Sequence, residues 1–136
     1  MKLQAENTCM TYLFRVGTDV AGYVTLAMGS LKKEDLPAGV RGLHHFSMVP
    51  CLLLGQMARD ITYKGEGIGK MMFDWVLLRA DTLSREIGCR YVILEAEHDR
   101  KSHYEKYFGL QALPQRRGSR TTMMYFDLGL RNNSNQ

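Results

Sequence analysis

Cysteine is scarce in this chain. Cys9, Cys51 and Cys89 are odd in number and far apart, which suggests neither a disulfide framework nor a zinc site. They read as reduced, mostly buried thiols in a cytoplasmic protein, with no metal expected. No apolar stretch approaches the roughly 18 residues of a membrane span. The first residues, Met1-Lys2-Leu3-Gln4-Ala5-Glu6, lack the apolar core of a signal peptide. Internal repeats and low-complexity linkers are missing too, so 136 residues read as one domain, large enough to bury a core without staples.

Positive charge and glycine are what the chain does have. A formal charge of +4 and a pI near 9.1 suit an anionic ligand. Three of the 13 glycines alternate in Lys64-Gly65-Glu66-Gly67-Ile68-Gly69-Lys70. The apolar run Cys51 to Ala58 precedes them, and a helical pattern follows. A strand, a glycine turn and a helix start form an anion cradle. Glycines allow φ > 0 and close backbone approach, while the helix N-terminus offers unpaired N–H groups. The expected guest is a phosphate or pyrophosphate.

Spacing narrows the guest. A P-loop places four residues between its first glycine and Gly-Lys, followed by Ser or Thr. Here Gly65 to Gly69-Lys70 leaves three, and Met71 follows. A dinucleotide fingerprint needs a glycine where Lys70 stands. Neither fits.

The remaining elements follow from periodicity. Met10 to Val16 and Val20 to Met28 read as a hairpin about the turn Gly17-Thr18-Asp19, and Gly29 to Val49 as a long loop. Pro50 admits a strand from Cys51 to Arg59. Met72, Trp75, Val76, Ala80, Leu83 and Ile87 form one stripe of a helix from about Gly69 to Ile87, stopped by Gly88. Tyr91-Val92-Ile93-Leu94 reads as a central strand. A short helix from about Asp99 to Phe108 precedes strands at Leu110 to Leu113 and Thr121 to Leu128. The polar tail from Arg131 to Gln136 reads as disordered. The order β-β-loop-β-α-β-α-β-β predicts an α/β fold, a mixed sheet flanked by helices.

Lys64-Gly65-Glu66-Gly67-Ile68-Gly69 resembles the coenzyme A pyrophosphate loop of the GNAT superfamily of N-acetyltransferases, with Lys64 where Gln or Arg is usual. His103-Tyr104-Glu105-Lys106-Tyr107-Phe108-Gly109-Leu110 resembles a second segment of that family. Tyr104 falls on its tyrosine, and His103 replaces the usual Phe. The likeness covers about Tyr12 to Leu128 and implies acetyl-CoA as cosubstrate and a primary amine as acceptor. It implies that Met57, Ala58 and Arg59 pair their backbone with the pantetheine arm and help polarise the thioester carbonyl. Lys64, Gly65, Glu66, Gly67, Ile68, Gly69 and Lys70 would hold the pyrophosphate.

Tyr104 is the candidate general acid, because a phenol keeps its proton at neutral pH and can donate it to a departing thiolate. Gln56 either orients the acceptor or is a satisfied buried amide. Glu95 and Glu97 share one face of their strand, so one can reach the cleft as base, although a solvated acid is the plainer reading. His44 and His45 are weaker candidates of the same kind. Arg116, Arg117 and Arg120 form the densest basic cluster and suit phosphate oxygens, or else form a solvated loop.

The text around Leu53 to Gly67 is most similar to toxin-type members of the family, which acetylate aminoacyl-tRNA and pair with an antitoxin protein. The helices that usually wall the acceptor site are missing here. That wall must come from Gly29 to Val49, from the loop after Pro114, or from the second subunit of a homodimer. Two other readings stand beside this one: an acetyltransferase of a small-molecule or peptide amine, and a non-catalytic module that keeps the coenzyme A cradle.

Overall fold

A computed structural model describes residues 8–114 and 118–129. Arg116, Arg117 and the tail from Arg131 lie outside the described residues. Among the described residues six strands form one sheet: β1 (Met10–Val16), β2 (Asp19–Lys32), β3 (Met48–Arg59), β4 (Tyr91–Glu97), β5 (Gln111–Ala112) and β6 (Thr121–Asp127). Their spatial order is β1-β2-β3-β4-β6-β5. Only β3 and β4 run parallel; every other neighbouring pair is antiparallel. The helices are α1 (Ala38–Arg41), a single turn, α2 (Ile68–Glu86) and α3 (Lys101–Phe108).

Apolar alternation along the strands builds two cores, one on each face. Val24, Leu26, Leu52, Leu54, Val92 and Leu94 meet α2. Leu31, Leu36, Val49, Tyr91, Ile93 and Leu113 fill the other side. Met72, Phe73, Val76 and Ala80 carry α2 into the first core at 2% exposure or less. Each large side chain so buried contributes about 1.5–3 kcal/mol. Trp75 packs instead on β1, with Tyr12 and Phe14 at 4.8 and 5.3 Å between ring centroids.

Four details depart from the sequence reading. Strand β2 runs on to Lys32 because Leu31 finds a place in the second core. The stretch expected as loop therefore shrinks, and it holds a 3-10 turn at Lys33–Asp35 and α1. Strand β3 starts at Met48, before Pro50. The missing Pro50 N–H falls where the ladder to β4 begins, and the Pro50 carbonyl accepts from Arg90 N–H at 2.9 Å. Ile87 was read into the buried stripe, yet it is 77% exposed, beyond the last turn of α2. At Gly88 (φ 111°) the chain turns left-handed, its N–H donating to the Leu83 carbonyl, as a C-terminal glycine stop should.

Candidate active site

The parallel pair holds for only three residues on each strand. Cys51, Leu52 and Leu53 pair with Tyr91, Val92 and Ile93, after which β3 continues to Arg59 and β4 to Glu97 with no ladder between them. A notch therefore opens at the carboxyl ends of the parallel strands, where ligands enter open α/β sheets. A bulge helps to form it. Thr25 faces Gln56 and Leu26 faces Leu54, leaving Gly55 as the extra residue. A Cβ on Gly55 would stand 2.9 Å from Thr25 Oγ1, the oxygen that accepts the Gln56 N–H at 2.8 Å.

The bulge also decides which backbone groups face the notch. Asp60 N–H donates to Ala21 O at 2.8 Å, so by the alternation of an antiparallel ladder Ala58 also turns to β2. Met57 and Arg59 turn their N–H and C=O the other way. Of the three residues expected to meet a pantetheine arm, those two present backbone to the notch, while Ala58 spends its own on the sheet.

The glycine loop follows β3 at this same end. Asp60 caps a 3-10 turn at Ile61–Tyr63 through the Thr62 N–H, and Tyr63 donates to Asp19 at 3.2 Å. Gly65 (φ 85°) and Gly67 (φ 77°) are left-handed, and Gly67 is the N-cap of α2. No side chain caps this helix start, and its first turn holds no acid. A Cβ built on Gly65 or Gly67 would meet nothing within 4 Å, so the concave side of the turn is open to a ligand. Ile68 is buried in the core, which leaves its backbone alone for binding. Lys64 and Glu66 are exposed. Lys70 pairs with Asp74 at 3.4 Å across one helical turn.

Tyr104 arrives from the other strand. β4 ends at Glu97, and a 3-10 turn at His98–Arg100 leads directly into α3. The Tyr104 carbonyl accepts from the N–H groups of Gly109 (φ 69°) and Leu110, and Leu110 is buried. The glycine and leucine of this motif are thus explained as a helix stop. The Tyr104 hydroxyl is not: its ring is half-buried against the core, and among the described residues the hydroxyl has no hydrogen-bond partner. Phe108, one turn on, comes within 3.9 Å of a Cβ built on Gly69, so α3 lies against the start of α2. The loop, Tyr104 and the notch share one end of the sheet.

On the face away from α2 and α3 lies an open groove of about 550 Å³. Glu95, from the part of β4 that has left β3 while still paired with β6, lines it, together with Lys32 and Arg41 from the stretch read as loop and Ser119 from the loop after Pro114. Two of the three expected sources of an acceptor wall thus line this groove. Gln56 is exposed, which removes the reading as a buried amide.

His44 lies elsewhere. Its Nε2 shares a 2.7 Å hydrogen bond with the Tyr91 hydroxyl, near the start of β4 and away from the notch, with the Arg90–Asp127 pair on the same strand ends. Burial holds the His44 pKa below its usual value and pushes the Tyr91 phenol up to about 12. Both shifts keep the two rings neutral, as a hydrogen bond between an imidazole and a phenol requires, so His44 is structural. His45 stacks edge-on to Phe46 in the same loop.

Among the described residues no cluster of His, Cys, Asp or Glu is placed to hold a metal, and no helix is long and apolar enough to cross a membrane.

No family model matches the chain. Over 95 residues, 70% of its length, it is 30% identical to the tRNA-acetylating toxin of Mycobacterium tuberculosis (strain ATCC 25618 / H37Rv), and it spans 57% of that protein's length. Its fold is that of AtaT complexed with acetyl-methionyl-tRNAfMet, with a TM-score of 0.86 at 17% identity, covering 99% of this chain and 80% of that one. A mutant AtaT toxin bound to the C-terminus of the antitoxin AtaR and acetyl-CoA matches at 0.76 and 17%, covering 99% and 78%. The likeness drawn from Lys64 to Gly69 and from Tyr104 to Leu110 is borne out, its toxin-type branch included.

Proposed function

We propose that this chain, with the fold of the GNAT-type toxins, is an acetyl-CoA-dependent N-acetyltransferase acting on the amino group of aminoacyl-tRNA. The divergence of β3 from β4 after Leu53 and Ile93, at the end that holds the glycine loop, carries the reading. A slot through the sheet lets a donor and an acceptor meet from opposite faces.

Acetyl-CoA supplies an acetyl group activated as a thioester. The left-handed turn at Gly65 and Gly67, with its open concave side, fits a pyrophosphate at the start of α2. Met57 and Arg59 offer an unpaired strand edge for an amide-bearing arm, and their N–H groups suit a carbonyl that gains negative charge. Tyr104 holds a hydroxyl proton for the departing sulfur. On the groove side Glu95 takes the proton that the attacking amine releases, directly or through water. Gln56 orients the acceptor. The cytoplasm is the compartment, and an antitoxin chain is the partner that the AtaT–AtaR likeness brings to this reading.

Incubating the protein with acetyl-CoA and separate pools of charged tRNA, peptides and small amines tests the proposal, with free thiol as the readout. We expect release with charged tRNA and N-acetylated aminoacyl ends. Thiol release with small amines or peptides alone would replace the tRNA reading. No release from any pool would leave a coenzyme A-binding module.

A further inference from the structure

From Pro37 to Ser47 the chain stands off the sheet, between the buried anchors Leu36 and Val49. Within that stretch only Val40 and His44 turn inward; the rest is exposed. Leu36, Val40 and His44 fall at four-residue spacing, which sets them on one side of the turns built around α1. Val40 packs on the second core. Among the described residues His44 supplies the stretch's one side-chain hydrogen bond to the sheet. The base of the stretch is closed by Lys33 N–H, which donates to the Ser47 carbonyl at 2.8 Å.

The same stretch walls the open groove through Arg41, whose Nε donates to the Leu36 carbonyl at 2.7 Å. What holds His44 therefore bears on the groove. Its Nε2 lies 2.7 Å from the hydroxyl of the fully buried Tyr91, and the two rings meet edge-on at 5.6 Å. Around it stand Lys33 from the 3-10 turn, Arg90 and Tyr91 at the start of β4, and Asp127 at the end of β6. Tyr125, edge-on to Tyr91 at 5.6 Å, adds a second neutral phenol. Asp127 is the one anion of this set, and it is already engaged. Arg90 donates to both of its oxygens at 2.8 and 3.2 Å, and Gly129 N–H to Oδ1 at 2.8 Å. A proton on His44 would be a third positive charge beside Arg90 and Lys33. The Tyr91 phenol could turn to accept from it, but brings no negative charge.

We propose that His44 is a proton-released latch. Neutral, it holds the α1 stretch against Tyr91 and keeps Arg41 at the groove; protonated, it lets the stretch lift and the groove lose that wall. Burial first, then Arg90 and Lys33, hold the His44 pKa below its usual value, with Asp127 opposing them. The lifted stretch thus binds the proton more readily than the docked one. Docking is complete above the ordinary histidine pKa of about 6.5 and weakens as pH falls below it. His44 acts through Arg41, so it is a positioning residue, and its effect on turnover rests on the acetyltransferase reading.

Hydrogen exchange of the backbone amides of residues 37–47, corrected for intrinsic rate, reads the latch without any substrate. The N–H groups of Val40, Leu43 and His44 are bonded within the stretch and report on it directly. In the wild type their exchange should rise about 3- to 10-fold as pH falls from about 6.5 to about 5.5, tenfold per unit being the ceiling for one proton. His44→Gln keeps a side-chain oxygen for the Tyr91 hydroxyl but cannot titrate, so it should abolish the rise. Tyr91→Phe keeps the ring and loses the hydroxyl, so exchange should already be fast at neutral pH. With charged tRNA as acceptor, the wild-type KM should climb over the same interval relative to His44→Gln, while kcat stays alike in the two.

A flat wild-type exchange profile, or an equal rise in His44→Gln, overturns the latch. So does an acceptor KM with the same pH profile in both proteins. A flat exchange profile in a wild type that acetylates charged tRNA leaves the enzyme reading standing. The expected exchange pattern in a protein that transfers no acetyl group upholds the latch and removes the enzyme reading instead.

Discussion

At the scale of single residues, Tyr104 and His44 show how the same chemistry can point two ways. Each offers a polar group on a half-buried ring. The His44 ring nitrogen is consumed by Tyr91, whereas the Tyr104 hydroxyl meets no described partner at the end of the sheet where the notch opens. We therefore expect Tyr104→Phe to leave acetyl-CoA affinity and melting temperature near wild type, because only a hydroxyl is removed and the ring contacts with Phe108 persist. Turnover should fall by roughly 10²- to 10⁴-fold, the usual loss with a general acid. Unchanged turnover with charged tRNA would mean that water protonates the leaving thiolate and that Tyr104 only packs. The candidate was legible in the sequence because Tyr104 sits five residues before a glycine stop. The lack of a described hydrogen-bond partner for its hydroxyl was not, since it depends on what β4 and α2 bring near.

At the scale of elements, the glycine loop and α2 were readable because their signals are local. Alternating glycines, a helical apolar stripe and a closing Gly88 lie in one continuous stretch. The notch was not readable, because it is a relation between β3 and β4 that neither strand encodes alone. The one local trace was Gly55 inside an apolar strand, a residue type that often marks a bulge. The loop lends itself to a direct test. At Gly67, φ of 77° is strained for any L side chain, most of all a β-branched one, although a Cβ there meets no protein atom. Gly67→Val should thus cost the fold about 1–2 kcal/mol through backbone strain. It should abolish measurable acetyl-CoA binding in calorimetry, because the side chain fills the open side of the turn. Gly67→Asn tolerates a left-handed backbone, so it should retain most stability yet still bind acetyl-CoA more weakly. Wild-type affinity in both variants would move the pyrophosphate away from this loop.

For the whole molecule the question is what a mildly basic surface is for. A pI near 9.1 narrowed little by itself, and the groove lined by Lys32 and Arg41 gives part of that charge a location. The Gly29 to Val49 stretch read as featureless because its signals compete: Leu31 and Leu36 are core residues set among lysines, acids, a proline and glycines. Another part of the charge is the run Arg116, Arg117 and Arg120, of which Arg120 is described and exposed. If the acceptor is a charged tRNA, these arginines meet its duplex phosphates. Each phosphate contact releases counterions, so replacing all three by alanine should lower the slope of log affinity against log salt by about 2 to 3. Acetyl-CoA binding should not change, because the loop and notch lie on other elements. Replacing Lys32 and Lys33 together should lower the slope by about 1 to 2 in the same titration. A small-amine acetyltransferase would show neither change, and its acceptor KM would respond to Gln56 and Glu95 instead. Wild-type salt slopes in both sets, with charged tRNA still acetylated, would leave the basic surface without a part in substrate binding and shift recognition onto the cleft.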